Sequence, residues 1–408
     1  MNDKSKVAVR DLTVKDKFSF ARFLVQWEMI LIYILIAINV YLMVMRPGLY
    51  FAPGTIQSII QSGMDLSPLV LGMIFVLMLG DIDVSVASIM ILAAMATGLS
   101  MDAGIPVVPA VLLGIIVGAL CGAFNGILVA YCSMPAVIVT ISTQMLFRGI
   151  VQVILDVNVL SNFPTFYNAL AWTNIAYVPI SLLVFLALGV VFIIVLHKSA
   201  FGRKLYMIGN NPVATQYSGI NVKAVKLQVF VIMGMMAGIA SIFFVGRMGG
   251  GVSSTMGIGL ELNAIAICVL GGISTNGGRG KAYGPIISTL IMAFLIYTLG
   301  LLNVEANSRV IMTGFILIIA VLIRNLNKEI LAEIKLRLLY QSNKNIEALN
   351  NKTAENIGNL KVLIGETKKD GKLSTTDKAE KIKKYESQIV GLKEKCKQQT
   401  KAMKQQQK

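Results

Sequence analysis

Long apolar runs, separated by short polar stretches, dominate the first three quarters of the chain. A helix that crosses a bilayer needs about 20 mainly apolar residues, because the hydrocarbon core is about 30 Å thick and a helix rises about 1.5 Å per residue. Measured against that length, the runs predict about ten transmembrane helices, near residues 29–46, 56–79, 83–100, 106–130, 135–155, 178–197, 224–246, 259–272, 283–301 and 307–324. The sequence therefore predicts an all-α, polytopic membrane protein.

The apolar runs begin near residue 29 and end near Arg324, and these two limits divide the chain into three parts. Residues 1–28 are predicted to be a polar cytoplasmic segment, residues 29–324 a transmembrane domain, and residues 325–408 a basic cytoplasmic tail that is either partly helical or disordered. Apolar residues of the tail recur at intervals of three and four, at Ile382, Tyr385, Ile389, Leu392 and Cys396. Because Gly391 interrupts this short pattern, it supports only a weak coiled coil.

Composition supports the membrane interpretation. Hydrophobic residues make up 55% of the chain and charged residues only 14%, which is too much apolar surface for an ordinary soluble globule. The net charge of +16 would suit nucleic acid, but basic residues that flank apolar spans are better explained by orientation in a bilayer with anionic lipid. The lipid bilayer is therefore an expected partner, and nucleic acid is not.

The distribution of basic residues predicts the orientation. Short cytoplasmic loops collect Lys and Arg. With the N-terminus inside, the loops predicted to be cytoplasmic carry Lys198, Arg203, Lys204, Lys223, Lys226, Arg279, Lys281 and Arg324. The loops predicted to be outside carry only Arg46, Arg247 and Arg309 near the ends of spans. We therefore expect both termini in the cytoplasm and an even number of spans.

The sequence offers no set of residues for catalysis or metal binding. His197 is its single histidine, and its four cysteines lack metal-binding or redox spacing. The glycine-rich run 271–281 superficially resembles a phosphate-binding loop. A Walker A motif, however, requires glycine where Thr275 stands and Ser or Thr where Ala282 stands. We expect no enzyme activity, no metal and no cofactor bound by this chain.

A pair of carboxylates stands where the second predicted span meets the third, in the sequence Gly80-Asp81-Ile82-Asp83-Val84-Ser85. One interpretation is helix capping, since Asp near a helix start satisfies free N–H groups. The other is a broken helix that lines the translocation path, because ionisable groups at membrane depth normally face water or a partner. The two interpretations are compatible, and they make Asp83 and Ser85 candidates for the path.

The eighth predicted span opens with Glu261 and Asn263. A carboxylate and an amide at this position suit either a helix cap or a polar translocation cavity. Both residues are further candidates for the path.

The connection from His197 to Lys223 is longer than joining two spans requires. Asn211 can cap a helix that has Pro212 at its first position, and Gly219 can end it after about two turns. A short helix in the most basic predicted cytoplasmic loop suggests a surface on which another protein docks.

Three segments resemble a known family in their order and spacing: Gly80 to Ser88 (GDIDVSVAS), Gly202-Arg203 followed by Gly209 to Ile220 (GNNPVATQYSGI), and Leu260 to Gly280 (LELNAIAICVLGGISTNGGRG). They resemble the permeases of ATP-binding-cassette importers of the ribose, rhamnose and autoinducer sugar type. The resemblance covers about residues 30–324.

The resemblance implies a bacterial plasma-membrane permease subunit that imports a monosaccharide-like solute. Its implied partners are cytoplasmic ATPase subunits that use the ATP, a second permease subunit, identical or related, and an extracytoplasmic solute-binding protein. The short helix would be the ATPase-coupling helix, with Asn211, Pro212, Ala214, Ser218 and Gly219 as its candidate residues.

The sequence departs from the family pattern at Asp81, Ala87 and Asn263, where many relatives have Gly, Gly and Asp. These departures concern which solute is carried and not the class of transporter. A nucleoside or branched-chain amino-acid importer of the same architecture is an alternative. A secondary transporter or channel is less favoured, because the spans contain few charged residues that could couple ions.

Overall fold

The computed structural model describes residues 27–175, 178–302, 305, 308, 311, 314–315, 318, 328–369 and 375–405. The chain forms two compact units, Met1–Val321 and Leu322–Lys408. The predicted N-terminal segment and most of the tenth predicted span, 307–324, lie outside the described residues.

The first unit is built from helices and one pair of very short strands. Its helices are α1 (Trp27–Met45), α2 (Pro47–Tyr50), α3 (Thr55–Gln61), α4 (Ser67–Met78), α5 (Val86–Asp102), α6 (Val107–Ala130), α7 (Ala136–Leu155), α8 (Thr165–Trp172), α9 (Ile180–Lys198), α10 (Ala200–Asn210), α11 (Pro212–Tyr217), α12 (Val222–Arg247), α13 (Leu260–Leu270) and α14 (Tyr283–Leu301). Strands β1 (Asn174–Ile175) and β2 (Val178–Pro179) pair antiparallel. The predicted all-α fold is confirmed.

Five of these helices, α6, α7, α9, α12 and α14, are long and apolar enough to cross a membrane. Shorter apolar helices occur as α1, α4, α5 and α13. These nine helices correspond to the first nine predicted spans, and the short α8 falls in the long connection that follows α7.

The prediction of one continuous second span over 56–79 is wrong, because the chain breaks into α3 and α4. Pro68 sits in the first turn of α4, where its missing N–H and its ring prevent the helix from extending back through the preceding turn. Within the break, buried Asp65 accepts hydrogen bonds from Arg247, with Nη2 at 2.6 Å and Nε at 2.9 Å. Apolar residues lie on both sides of the break, so the mean hydropathy of the segment does not reveal where the helix is interrupted.

The long connection after α9 contains one helix more than the sequence pattern predicted. Ser199 caps α10 by accepting a hydrogen bond from the Gly202 N–H at 3.1 Å. Leu205 and Ile208 are buried on one side of this helix, while Arg203, Lys204 and Asn210 are exposed. Such a short amphipathic pattern is easily taken for a polar loop.

Helix α12 lies at the centre of the first unit and packs against α4, α5, α6 and α8. Its closest approach is to α6. A Cβ atom added to Gly118 would lie 2.4 Å from the Gly234 carbonyl oxygen, and one added to Gly122 would lie 2.2 Å from that of Phe230. Small residues let helix backbones approach this closely in membranes. The packing of α12 therefore holds α5, whose start carries Asp83 and Ser85.

The described residues of the C-terminal unit are helical. They form α15 (Lys328–Lys369) and α16 (Thr375–Gln405), which contact each other. Helix α16 continues through Gly391, and Ile382, Tyr385 and Ile389 are half-buried along it. The Cys396 thiol donates to the Asn350 side-chain oxygen across the two helices at 3.4 Å. The three-four spacing thus marks a real helix–helix contact.

Candidate translocation and coupling sites

The connections between helices gather at two ends of the first unit. At one end, which we call the junction end, the chain around 78–81 meets the segments 206–226 and 274–282. At the opposite end, Leu160 and Val252 exchange backbone hydrogen bonds at 2.9 Å, and the Trp172 indole donates to the Gly246 carbonyl. This grouping matches the alternation of loops that the sequence predicts.

Asp83 lies at the junction end between α4 and α5 and is completely buried. Its Oδ1 accepts hydrogen bonds from the Ser85 N–H at 2.9 Å and the Ser85 hydroxyl at 2.6 Å. The side-chain amide of Asn125, on α6, donates to the same hydroxyl oxygen at 2.8 Å. Among the described residues, Asp83 Oδ2 has no hydrogen-bond partner.

These contacts supply the N–H acceptor that the capping interpretation requires at the start of α5. They also tie α5 to α6 through Ser85 and Asn125. Because Asp83 and Ser85 are fully enclosed in this conformation, neither lines an open path in it. A role for Asp83 in the path is a prediction that concerns another conformation.

Glu261 and Asn263 lie at the start of α13, in surroundings that are more open. Buried Glu261 accepts hydrogen bonds at Oε1 from the Gly259 N–H at 3.2 Å and from Gln144 Nε2 of α7 at 3.1 Å. The side chain of Asn263 is half-buried. Glu261 therefore satisfies an N–H group at the helix start, as the capping interpretation expects, and joins a polar contact between helices; a place for Glu261 and Asn263 in the translocation path stays a prediction.

The sequence pattern did not select Gln144 or Arg148 as site residues, although both interrupt the fifth apolar run. Arg148 Nη1 donates to the carbonyls of Ser254, at 2.9 Å, and Met256. These carbonyls belong to the irregular segment between α12 and α13. The signal that could have identified both residues is polar spacing, since Thr140, Gln144 and Arg148 recur every four residues along an apolar helix.

The short helix predicted in the long connection is confirmed as α11. Asn211 caps it, accepting a hydrogen bond from the Ala214 N–H at 2.9 Å, and Pro212 is its first residue. Gly219 follows it with φ +80°, a conformation that suits glycine. Thr215 is buried against the unit, so α11 is anchored on one side.

The other side of α11 presents apolar groups. Val213 is 61% exposed and Tyr217 is 89% exposed, and their spacing of four residues places them on one face. Ala214 and Ser218 are also exposed. Exposed apolar side chains on a short, anchored helix are suited to fit into a partner protein.

Close backbone packing connects α10 to the end of α4, and we call this contact the glycine junction (Gly80, Gly209 and Gly278). The Gly278 N–H donates to the Met78 carbonyl at 2.9 Å. A Cβ atom added to Gly209 would lie 2.0 Å from the same carbonyl oxygen. The Asn210 side chain also donates to the Gly278 carbonyl at 3.2 Å. The glycine junction therefore packs α10 directly against the segment that leads to Asp83.

An ion pair adds a second connection at the junction end. Lys226 Nζ, near the start of α12, lies 2.6 Å from Asp81 Oδ2. Both residues line a cleft of about 620 Å³ together with Gln216 of α11. The sequence pattern marked Asp81 as one of a pair of carboxylates and as a departure from the family, but nothing local indicates a partner so distant along the chain.

His197 has a structural role at the junction end. Its Nε2 accepts a hydrogen bond from the Ala282 N–H at 3.2 Å, and neighbouring Tyr206 donates its hydroxyl to the Gly280 carbonyl at 2.7 Å. Within the described part of the chain, no group of three or more His, Cys, Asp or Glu side chains could hold a metal ion.

Comparison with known proteins identifies the family. The family described as "Branched-chain amino acid transport system / permease component" matches residues 55–321. No solved structure matches the chain.

Three curated relatives show the range of this similarity. The chain is 35% identical over 278 residues to the autoinducer 2 import system permease protein of Photorhabdus laumondii, covering 67% of this chain and 82% of the relative. It is 31% identical to the ribose import permease protein of Haemophilus influenzae, covering 76% and 95%. It is 32% identical to the D-allose transport system permease protein of Escherichia coli, covering 75% and 94%.

The resemblance found in the sequence motifs is thereby confirmed. The described apolar helices and the relatives agree on a multi-pass membrane protein whose role is that of a permease subunit. This chain belongs to the family of the branched-chain amino acid transport system permease components.

Proposed function

We propose that this chain is the membrane-spanning subunit of an ATP-driven importer of a monosaccharide-like solute. The similarity to permeases named for ribose, allose and autoinducer 2 supports this solute class. The polar contacts around Glu261, within otherwise apolar helices, provide groups that could contact hydroxyls. The main alternative is a branched-chain amino acid, which the description of the family names.

The observation that carries the proposal is the structure of α11 and its attachment. The chain matches no nucleotide-binding motif that could supply energy by itself, so energy must enter at a surface for another protein. Helix α11 offers an exposed apolar face, and the glycine junction joins the preceding α10 to the segment bearing Asp83. We therefore assign α11 as the coupling helix, which fits a groove of a cytoplasmic ATPase subunit.

The remaining partners follow from the same assignment. A second permease subunit would complete the path, and an extracytoplasmic solute-binding protein would deliver the solute at the end opposite α11. ATP would be bound and hydrolysed only by the ATPase subunits. We infer no cofactor for this chain.

We further propose a bacterial plasma membrane as the location, with the junction end and both termini in the cytoplasm. The basic residues of the junction end, against few at the opposite end, support this orientation. Reporter fusions at Lys408 and within residues 156–177 should report opposite sides of the membrane. Reporters on the same side would contradict the orientation.

Substitution of Ala214 tests the coupling assignment. Ala214→Arg places a bulky charge on the exposed face of α11. Burying that charge without a partner in a groove should weaken docking by about 3 kcal/mol or more. We expect the variant to reach the membrane but to lose co-purification of the ATPase subunit and solute-stimulated ATP hydrolysis.

Ala103→Arg is the matched control. Ala103 is also exposed, but it follows α5 at the other end of that helix from the junction. This variant should retain ATPase binding and hydrolysis. Full ATPase binding and uptake by Ala214→Arg would show that α11 is not the coupling helix.

A further inference from the structure

Helix α7 carries a row of three polar side chains, of which two, Gln144 and Arg148, are only partly covered by neighbouring residues. Thr140, Gln144 and Arg148 follow one another at four-residue intervals and therefore lie along one side of the helix. Thr140 donates to the Ile82 carbonyl at 3.2 Å, beside Asp83. Gln144 contacts Glu261, and Arg148 contacts the segment before α13. The row thus runs from the Asp83 region to the start of α13.

The position of Gln144 and Arg148 makes contact with lipid unfavourable. Gln144 and Arg148 lie in the middle part of α7 (Ala136–Leu155), which is long and apolar enough to cross a membrane. Both side chains are only half-buried. A charged group in this region that faced hydrocarbon would cost about 2.5 to 3.5 kcal/mol. The side of α7 that carries them must therefore face water or polar groups.

The cluster has unused donors and unused acceptors. In the described part of the chain, the hydrogen bonds of Arg148 are made by Nη1, which leaves the donors on Nη2 and Nε. Buried Glu261 holds the Gln144 amide through Oε1, and the side-chain oxygen of half-buried Gln144 accepts no hydrogen bond from the described residues. Arg148 and Glu261 also have opposite charges, so the cluster as a whole is neutral.

A hydroxyl group both donates and accepts hydrogen bonds. A neutral surface with free donors beside free acceptors therefore complements an uncharged molecule with several hydroxyl groups. We propose that Gln144 and Arg148 form the surface that recognises the hydroxyl groups of the monosaccharide-like solute, and that buried Glu261 positions Gln144 for this contact. This inference rests on the proposed function and names residues that determine its specificity.

Thiol accessibility tests the surface without requiring transport. Cys132, which is exposed, and Cys396, which is partly exposed, are first replaced by Ser, while Cys121 and Cys268 are buried. Gln144→Cys in the full-length protein is then treated, in membrane vesicles, with a water-soluble methanethiosulfonate, and labelling is measured by mass. Leu120→Cys is the control, because Leu120 is 64% exposed on apolar α6.

We expect rapid labelling of Gln144→Cys and little labelling of Leu120→Cys. Millimolar D-ribose or D-allose should slow the labelling of Gln144→Cys at least several-fold, whereas L-leucine should not. Labelling as slow as that of Leu120→Cys, or labelling that neither sugar slows, would overturn the proposal. Protection by L-leucine alone would also overturn it and would favour a zwitterionic solute.

The role of Arg148 has a separate measurement that leaves Gln144 in place. Arg148→Lys keeps the positive charge but loses the planar, forked arrangement of donors. In the assembled importer, the concentration of D-ribose or D-allose needed for half-maximal ATP hydrolysis should rise about tenfold or more. The level of ATPase bound to the permease should be unchanged. An unchanged half-maximal concentration would remove Arg148 from the recognition surface.

These outcomes are distinguishable from failure of the proposed function. The Ala214→Arg experiment reports docking of the ATPase and does not involve residues on α7. Normal docking combined with unprotected Gln144→Cys would reject the recognition surface alone.

Discussion

Two carboxylates near the starts of helices, Asp83 before α5 and Glu261 in α13, have different surroundings. Asp83 is enclosed, with Ser85 and Asn125 completing a compact hydrogen-bonded cluster. Glu261 is also buried, but its neighbours Gln144 and Arg148 are half-exposed. A carboxylate at membrane depth therefore does not by itself mark a solute path. The exposure of its neighbours indicates whether a solute could reach the group.

The contrast suggests a division of roles. The Asp83 region is closely packed against α10 through the glycine junction, which suits transmission of a movement. The Glu261 region offers unused donors and acceptors, which suits recognition of a solute. Substitutions in the two regions should therefore impair transport in different ways: those near Asp83 should impair coupling, and those near Glu261 should impair recognition of the solute.

The largest effect is expected at the glycine junction. Gly209→Ala would place a Cβ atom 2.0 Å from the Met78 carbonyl oxygen. Backbone atoms cannot yield as a flexible side chain can, so overpacking should cost about 1 to 3 kcal/mol or more. We expect a lower melting temperature for the detergent-purified protein and a loss of solute-stimulated ATP hydrolysis.

Gly149→Ala is the control for that substitution. A Cβ atom at Gly149, within α7, would meet no atom within 4 Å. In a helix interior, replacing Gly by Ala is favourable by about 1 kcal/mol. Equal melting temperatures for Gly209→Ala and Gly149→Ala would contradict the tight packing of the junction.

A smaller effect is expected from Asp83→Asn. The amide retains an oxygen that can accept from Ser85 but loses the charge, and a hydrogen bond to a charged group contributes about 1.5 to 3 kcal/mol. We expect lower solute uptake at an unchanged amount of protein assembled in the membrane. Unchanged uptake would leave Asp83 with a capping role alone, and loss of uptake together with assembly would indicate a structural role.

Local signals in the sequence predicted α11 well. Asn211, Pro212 and Gly219 act on the backbone within a few residues of themselves, so their effect can be recognised without knowledge of the fold. The long apolar runs likewise identified nine helices of the first unit. The predicted helix boundaries were wrong where a continuous apolar run contains a break, as between α3 and α4.

Contacts between distant parts of the chain could not be predicted in this way. Lys226 and Asp81 form an ion pair, and Arg247 binds Asp65, but no local pattern pairs one with the other. The recognition surface on α7 was missed for the same reason. The contacts of Gln144 and Arg148 with α13 and the segment before it can be recognised only once the fold is known.

Accumulation of solute in vesicles tests the central claim most directly. Proteoliposomes would contain this chain with its ATPase partner, with ATP and the ATPase side enclosed and the solute-binding protein outside. We predict uptake of D-ribose or D-allose against a gradient, dependent on enclosed ATP and abolished by Ala214→Arg. Uptake that continues without ATP, or ATP-dependent uptake of L-leucine but neither sugar, would contradict the account.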